Sequence, residues 1–324
     1  MKIAVCDDYQ NIVHQLPSYQ LLAGHEVIRF PQPAKDDEEL VHRLRDVEII
    51  IVVRERVEFR RTLLERLPKL KLLALVGRSA TTIDFEACTA LGIPVSTGKS
   101  SSPDSPAELT VALIVAARRK VALAAEAMKR GQWPSSLAYR LRGSTLGIFG
   151  LGEIGSLVAQ SCRGMGMQIL VWGQEKSKAR AKELGYAVAA SKAELFERSD
   201  VLSLHPRLRP ETRGIVGPDD LARMKPTALL VNTARAELIQ PGALVAALER
   251  GRPGYAAVDV YEDEPILHGD HPLLRTDKAL CVPHIGWTEW DNFDLYFGEA
   301  FEQIVAYCQG KPMRLANPTV VPRR

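Results

Sequence analysis

Three stretches of the sequence follow predicted strands with side chains that can bind anions or carry protons. Arg235 follows one apolar run, Asp259 and Glu264 follow the next, and His284 follows the last. The carboxyl ends of parallel strands open onto one cleft, so these groups could meet beside a bound ligand. There they could hold an anionic ligand and transfer a proton to or from it. Taken singly, Arg235 could begin a surface helix, Glu264 could be solvated loop charge, and His284 could be a packed core histidine.

The elements that must position these groups are organised around residues 145–173. An apolar run over 146–149 predicts a buried strand, which breaks into Gly150, Gly152 and Gly155 before a helical pattern and a second strand over 168–172. The first glycine permits a tight turn, the second a close approach to a pyrophosphate, and the third close helix packing. The amides of Glu153 and Ile154 then point towards the phosphates. A lone glycine string could be an ordinary turn, but strand, helix and strand together predict a dinucleotide site.

The ribose end of this unit departs from the usual pattern. An NAD site is expected to carry Asp or Glu after the second strand, to accept hydrogen bonds from the ribose. Here Gly173, Gln174 and Lys176 occupy that stretch. Loss of the carboxylate removes repulsion against a 2'-phosphate, and a nearby cation could bind one. Glu175 argues for NAD, because it could turn back to the ribose. The sequence therefore favours NADP slightly and leaves NAD open.

Composition limits the class of protein and the compartment. The chain of 324 residues can form two domains, and its formal net charge of +3 is too small for a nucleic-acid partner. No apolar run is long enough to span a membrane, and the first residues contain no signal peptide. The cysteines are odd in number and lack paired spacing, which predicts a reduced, cytoplasmic location: Cys6, Cys88, Cys162, Cys281 and Cys308.

Strands and helices alternate along the rest of the chain, which predicts mostly parallel sheets with helices on both faces. The polar, proline-rich segment 99–106 predicts a crossover between domains, followed by one long helix over 107–129. Further helices are predicted over 178–184 and 298–309. Arg54 and the loop of Gly77 and Arg78 lie at carboxyl ends of strands in the first domain, where ligands bind in such sheets.

Several motifs occur in an order that resembles the D-isomer-specific 2-hydroxyacid dehydrogenases. They are G-L-G-E-I-G (150–155), P-E-T-R-G (210–214), M-K-P-T-A-L-L-V-N-T-A-R (224–235), D-V-Y-E-D-E-P (259–265) and P-H-I-G (283–286). The resemblance runs from about residue 54 to 284. It implies a Rossmann cofactor domain, 104–287, inserted into a flavodoxin-like substrate domain, 1–103 and 288–324. It also implies a homodimer acting on a small 2-keto or 2-hydroxy acid.

The resemblance assigns roles to the polar residues after the strands. It implies that Arg235 grips the substrate carboxylate, that His284 is the general acid/base and that Glu264 orients it. Asp259 then receives the nicotinamide carboxamide. Substrate contacts from the first domain are implied for Arg54, Arg78, Ser79 and Ala80. Further cofactor contacts are implied for His205, Pro206, Arg207, Thr212, Thr233, Ala234 and Gly286.

The chemistry supports these roles independently. Reduction of a 2-keto acid develops negative charge on the carbonyl oxygen, so a protonated imidazole must lie within hydrogen-bond reach.

Arg207 replaces an apolar residue of the family pattern and is a second candidate for contact with a 2'-phosphate. His268 and His271 form an H-x-x-H pair without further ligands, so no metal is expected. An alternative is a cofactor-sensing protein, like the NAD(H)-binding corepressors of this fold, which would show no significant turnover.

Overall fold

A computed structural model describes residues 1–53, 56–78, 82–100, 102–133 and 137–322. Arg54, Ser79 and Ala80, predicted to bind substrate, lie outside these ranges. The chain divides into two compact units. Unit 1 comprises Met1–Ser102 and Thr288–Arg324, and unit 2 comprises Pro103–Trp287.

The described strands, in chain order, are β1 (Lys2–Val5), β2 (Glu26–Arg29), β3 (Ile49–Val53), β4 (Leu72–Val76), β5 (Val95–Ser96), β6 (Thr145–Phe149), β7 (Gln168–Trp172), β8 (Ala187–Val188), β9 (Val201–Leu204), β10 (Leu229–Asn232), β11 (Tyr255–Val258) and β12 (Ala279–Cys281). The described α-helices are α1 (Asp37–Leu44), α2 (Arg61–Leu64), α3 (Phe85–Ala90), α4 (Asp104–Arg118), α5 (Val121–Lys129), α6 (Glu153–Gly164), α7 (Glu175–Glu183), α8 (Lys192–Arg198), α9 (Pro218–Arg223), α10 (Ala243–Arg250) and α11 (Trp290–Cys308).

Each unit contains one parallel sheet. The sheet of unit 1 has the order β2-β1-β3-β4-β5, and that of unit 2 the order β12-β11-β10-β9-β6-β7-β8. All described pairings between named strands are parallel. The first is the flavodoxin-like order and the second is the Rossmann order with one added edge strand. The predicted fold class is therefore confirmed.

Burial on both faces explains why these strands are apolar throughout. In β10, Leu230 packs into one hydrophobic cluster, whereas Leu229 and Val231 pack into another. Successive side chains of a strand point to opposite faces, so both faces of the sheet in unit 2 carry packed helices. In unit 1, every residue of β3 and β4 is buried. Polar side chains are thereby displaced to the strand ends, where ligands can reach them.

Several predicted helix boundaries were wrong. The predicted helix over 107–129 is two helices, because Lys120 adopts a left-handed conformation with φ of 54°. Its first part begins at Asp104, inside the segment predicted as a crossover. Helix α11 begins eight residues before the predicted start, where Glu289 accepts from the amides of Asp291 and Asn292. A side-chain cap fixes this start, and the apolar pattern alone did not reveal it.

Two elements between β7 and β9 were not predicted at all. They are the short strand β8 and the helix α8, which Ser191 caps by accepting from the amide of Glu194 at 3.1 Å. Among the described residues, no helix combines the length and apolar character needed to cross a membrane.

Candidate functional site

The glycine turn after β6 has the geometry that a diphosphate requires. Gly150 has φ of 91°, and a Cβ there would lie 3.2 Å from the backbone of His205 and Pro206. A Cβ on Gly155 would lie 2.6 Å from the carbonyl oxygen of Gly150, so only glycine lets α6 pack this closely. Nothing lies within 4 Å of a Cβ built on Gly152. The turn is therefore packed on two sides and open at its middle glycine.

The start of α6 supplies donors at this open position. Gly152 caps the helix in extended conformation, Glu153 is exposed, and Ile154 is half-buried against the core. The first amides of a 12-residue helix have no acceptor within the helix, and its dipole favours an anion there. The residues present therefore fit a bound dinucleotide.

Gly173, at the end of β7, is packed tightly against this turn. A Cβ there would lie 3.2 Å from Cβ and Oγ of Ser177 and 3.4 Å from Cα of Gly150. Ser177 Oγ also accepts from the amide of Leu151 at 3.1 Å. Glu175 begins α7 exposed and pairs with Lys178 at 2.7 Å. In this structure Glu175 contacts a lysine of its own helix, and Gln174 and Lys176 are exposed beside it.

The chain after β9 forms the other wall of the glycine turn. His205 Nε2 lies 2.9 Å from Ser203 Oγ, and burial lowers the pKa of His205 to about 4. Its imidazole is therefore neutral at physiological pH. Arg207 is exposed, and its carbonyl oxygen accepts from Thr212 Oγ1 at 2.6 Å. The Thr212 hydroxyl also accepts from the amide of Arg209 at 2.8 Å, which fixes this loop.

The loop carrying Arg235 is held by Asn232, the last residue of β10. The buried Asn232 side chain donates to the carbonyl oxygen of Arg235 at 2.8 Å and accepts from the amide of Ala234 at 3.1 Å. Arg235 is half-buried, and its guanidinium donates to the carbonyl oxygen of Ala234 at 2.7 Å. Thr233 Oγ1 lies 2.7 Å from Thr110 Oγ1. Asn232 lies in the N-T-A-R motif, but the sequence alone did not predict that its side chain fixes this loop.

His284 and Glu264 form a direct pair. Nδ1 of His284 lies 2.5 Å from Oε2 of Glu264, and the two side chains are 27% and 31% exposed. Glu264 Oε1 accepts from the amide of Tyr261 at 2.9 Å. With Nδ1 oriented towards the carboxylate, Nε2 is the ring nitrogen left for a substrate. The structure thus brings together two groups that are 20 residues apart in sequence.

Asp259 holds the chain directly after His284. Its Oδ1 accepts from the amide of Ile285 at 2.6 Å and its Oδ2 from the amide of Gly286 at 2.9 Å. Burial raises the pKa of Asp259 to about 6, against the lowering effects of these amides and of His284. A Cβ on Gly286 would lie 2.9 Å from Oδ2, so glycine is required beside this carboxylate.

The three strand ends that carry these four polar residues are neighbours in the sheet. Arg235 follows β10, Asp259 and Glu264 follow β11, and His284 follows β12, which are adjacent strands. Arg78 belongs to unit 1, where it is exposed. Among the described residues no group of three or more potential ligands could hold a metal; the ring of His271 instead contacts Glu262 at 3.2 Å.

The sequence matches the family model described as "D-isomer specific 2-hydroxyacid dehydrogenase, NAD binding domain" over residues 111–286. The chain belongs to this family. It is therefore a nicotinamide-dependent oxidoreductase of the 2-hydroxyacid dehydrogenase class. A glyoxylate reductase from Aeropyrum pernix is 36% identical over 295 residues, which cover 88% of this chain and 87% of that protein.

Further relatives carry other names. A D-3-phosphoglycerate dehydrogenase from Methanocaldococcus jannaschii is 38% identical over 251 residues, and this match covers 77% of the chain but only about half, 47%, of that longer protein. A solved structure from Ralstonia solanacearum, provisionally described as a D-3-phosphoglycerate dehydrogenase oxidoreductase, is 49% identical with a TM-score of 0.95. That match covers 99% of this chain and 98% of the other.

Proposed function

We propose that this protein interconverts a small 2-keto acid and the corresponding D-2-hydroxy acid, with His284 as general acid/base. The observation that carries the proposal is the contact between His284 Nδ1 and Glu264 Oε2 at 2.5 Å. A carboxylate on Nδ1 fixes the orientation of the ring, which leaves Nε2 to face the substrate as the proton donor. Such a donor is needed as charge develops on the carbonyl oxygen of the substrate.

Arg235 acts as the anion-binding group of this mechanism. Its guanidinium is planar and suits a carboxylate, and Asn232 fixes the backbone that carries it. When bound, the nicotinamide supplies hydride for reduction or accepts it for oxidation. His284 releases its proton to the alkoxide in reduction and takes one from the hydroxyl in oxidation. Asp259 holds the amides that follow His284 and thereby keeps the ring in place.

For the cofactor, we propose NADP in preference to NAD. The residue after β7 is Gly173, which cannot accept hydrogen bonds from a ribose through a side chain, and even a Cβ there would crowd Ser177. Glu175, the nearest carboxylate in sequence, pairs with Lys178. Exposed Lys176 and Arg207 follow strands on either side of β6, and a 2'-phosphate would suit such cations.

For the substrate, we propose a 2-keto acid with a short side chain, such as glyoxylate or hydroxypyruvate, or the phosphoglycerate couple. Relatives are named glyoxylate reductase, hydroxypyruvate reductase and D-3-phosphoglycerate dehydrogenase. Arg54, Arg78, Ser79 and Ala80 are the residues of the first domain that we propose for substrate contact. A phosphorylated substrate needs more cations than glyoxylate does. A preference for phosphoglycerate over glyoxylate would therefore indicate that both Arg54 and Arg78 contact the substrate.

We also propose that the protein is a homodimer. Large apolar side chains are exposed along one stretch of unit 2, with exposed fractions from 44% at Leu123 to 87% at Trp133 and 88% at Leu137. Val121 and Met128, on the same helix as Leu123, are more than half exposed. Several large apolar side chains exposed within one stretch of chain are the kind of surface that a subunit interface would bury. Light scattering that gives a monomer mass at micromolar concentration would contradict this proposal.

One experiment tests the catalytic proposal and its main alternative. A panel of 2-keto acids is offered with NADPH and with NADH, and cofactor oxidation and cofactor binding are both measured. We expect turnover with at least one small acid, faster with NADPH. His284→Gln should reduce kcat by about 10²- to 10⁴-fold while cofactor affinity stays within about twofold. Tight cofactor binding without turnover across the panel would instead identify a sensing protein.

A further inference from the structure

The carbonyl oxygen of Val282 accepts two hydrogen bonds just ahead of His284. The Tyr261 hydroxyl donates to it at 3.0 Å, and the His284 amide donates to it at 3.1 Å across Pro283. The second bond closes a turn of three residues, and the first ties that turn to the loop after β11. Tyr261 thus contacts the peptide that sets the direction in which the chain enters His284.

His284 needs such restraint because its backbone is left-handed. Its φ is 50°, a conformation that non-glycine residues rarely adopt and that costs free energy. Asp259 restrains the chain after His284 through the amides of Ile285 and Gly286. The turn closed on Val282 restrains the chain before it. A strained backbone persists where its surroundings fix it from both sides, and the imidazole direction follows from that backbone.

Tyr261 also contacts the second member of the catalytic pair. Its backbone amide donates to Glu264 Oε1 at 2.9 Å, while Oε2 of the same carboxylate faces His284. The side chain is only 8% exposed, and its ring lies edge-on to that of His271, with centroids 5.2 Å apart. This packing leaves the hydroxyl little freedom. One residue therefore connects the proton donor to the carboxylate that orients it.

We infer that Tyr261 is a positioning residue for proton transfer, whose hydroxyl holds the Val282 carbonyl and thereby the His284 imidazole against Glu264. Tyr261 does not exchange the proton itself, because burial raises the pKa of its hydroxyl far above the physiological range. This inference rests on the proposed function, in which His284 moves the proton. It adds that a buried hydroxyl outside the catalytic pair determines how well that pair is aligned.

Tyr261→Phe removes the hydroxyl, with its hydrogen bond to the Val282 carbonyl oxygen and its contact with Cys281, and keeps the ring. We expect kcat to fall about fivefold, the effect of about 1 kcal/mol at the transition state, with KM for the cofactor unchanged. In proton spectra of protein labelled with [¹⁵N]histidine, the resonance of the His284 Nδ1 proton should broaden, because a mobile ring exposes it to water. A purely structural role would lower the melting temperature but change neither kcat nor this resonance.

Tyr255→Phe is the matched control, because Tyr255 is the first residue of β11 and Tyr261 lies in the loop beyond the other end of that strand. It should leave both readouts unchanged. 4-Aminophenylalanine at position 261 retains a donor and should restore kcat, whereas 4-fluorophenylalanine should not; this pair also replaces Tyr261→Phe if that variant does not fold. Wild-type kcat and an unaltered resonance in the variants that lack a donor would overturn the inference. Absence of turnover in the wild type would instead refute the proposed function, which keeps the two failures distinct.

Discussion

Replacement of Glu264 by glutamine tests the charge on the carboxylate that faces His284. The substitution keeps the shape of the side chain and an oxygen that can accept from the Tyr261 amide. It removes the negative charge 2.5 Å from Nδ1. A hydrogen bond between charged groups contributes about 1.5–3 kcal/mol. Because the two side chains are 27% and 31% exposed, solvent screening favours the low end. About 1.5 kcal/mol corresponds to roughly a tenfold fall in kcat.

The assay is cofactor oxidation with a saturating 2-keto acid across a range of pH. For Glu264→Gln we expect kcat to fall about tenfold at neutral pH, with cofactor affinity unchanged. Glu262→Gln is the control, since Glu262 lies two residues away and contacts a different histidine, His271, at 3.2 Å. That variant should retain full activity.

Two outcomes would refute this reasoning. Wild-type turnover in Glu264→Gln would mean that the contact with His284 does not favour proton transfer. Equal losses in Glu264→Gln and Glu262→Gln would mean that the loop tolerates neither substitution, and that the specific pairing has no separate effect. Both variants are folded if their circular dichroism spectra and melting temperatures are close to those of the wild type.

Two further predictions concern the glycine turn and its neighbour His205. Gly155→Ala should lower the free energy of unfolding by about 1–3 kcal/mol in urea titrations, because its Cβ would lie 2.6 Å from the Gly150 carbonyl oxygen. Gly152→Ala should change the free energy of unfolding by less than about 1 kcal/mol, since nothing lies within 4 Å of a Cβ at this position. It should nevertheless weaken cofactor binding, measured by fluorescence titration. Equal effects of Gly155→Ala and Gly152→Ala on stability would contradict this prediction. Burial lowers the pKa of His205 from 6.5 to about 4, so the unfolded chain binds an additional proton between these values and stability is lost as pH falls from 6.5 towards 4. The loss is at most about 3 kcal/mol, the free energy that corresponds to this difference in pKa, because the residue as a whole is only half-buried. A His205→Gln variant with the same pH dependence of urea unfolding as the wild type would contradict this assignment.

The sequence predicted the regular elements that depend on local pattern. Continuous apolar runs identified β3, β4 and β10, because strands buried on both faces have no polar side to interrupt them. The sequence did not predict helix boundaries that depend on the conformation of one residue or on one capping side chain. Left-handed Lys120 divides the predicted long helix, and the Glu289 side chain starts α11 eight residues before its predicted start.

The sequence by itself determined the family, the doubly wound fold and the identity of the polar residues at the strand ends, because motif order and period survive in one dimension. Only the tertiary structure decided which of these residues touch. Glu264 meets His284 because β11 and β12 are neighbours, and Glu175 meets Lys178 because α7 begins earlier than its pattern indicates. The support around His284 has the same origin: the Asp259 carboxylate and the Tyr261 hydroxyl bond to main-chain groups of 282–286, and main-chain groups are alike in every residue. The main-chain partner in such a contact therefore leaves no sequence signal, and the pairing of strands in space is needed to reveal the contact.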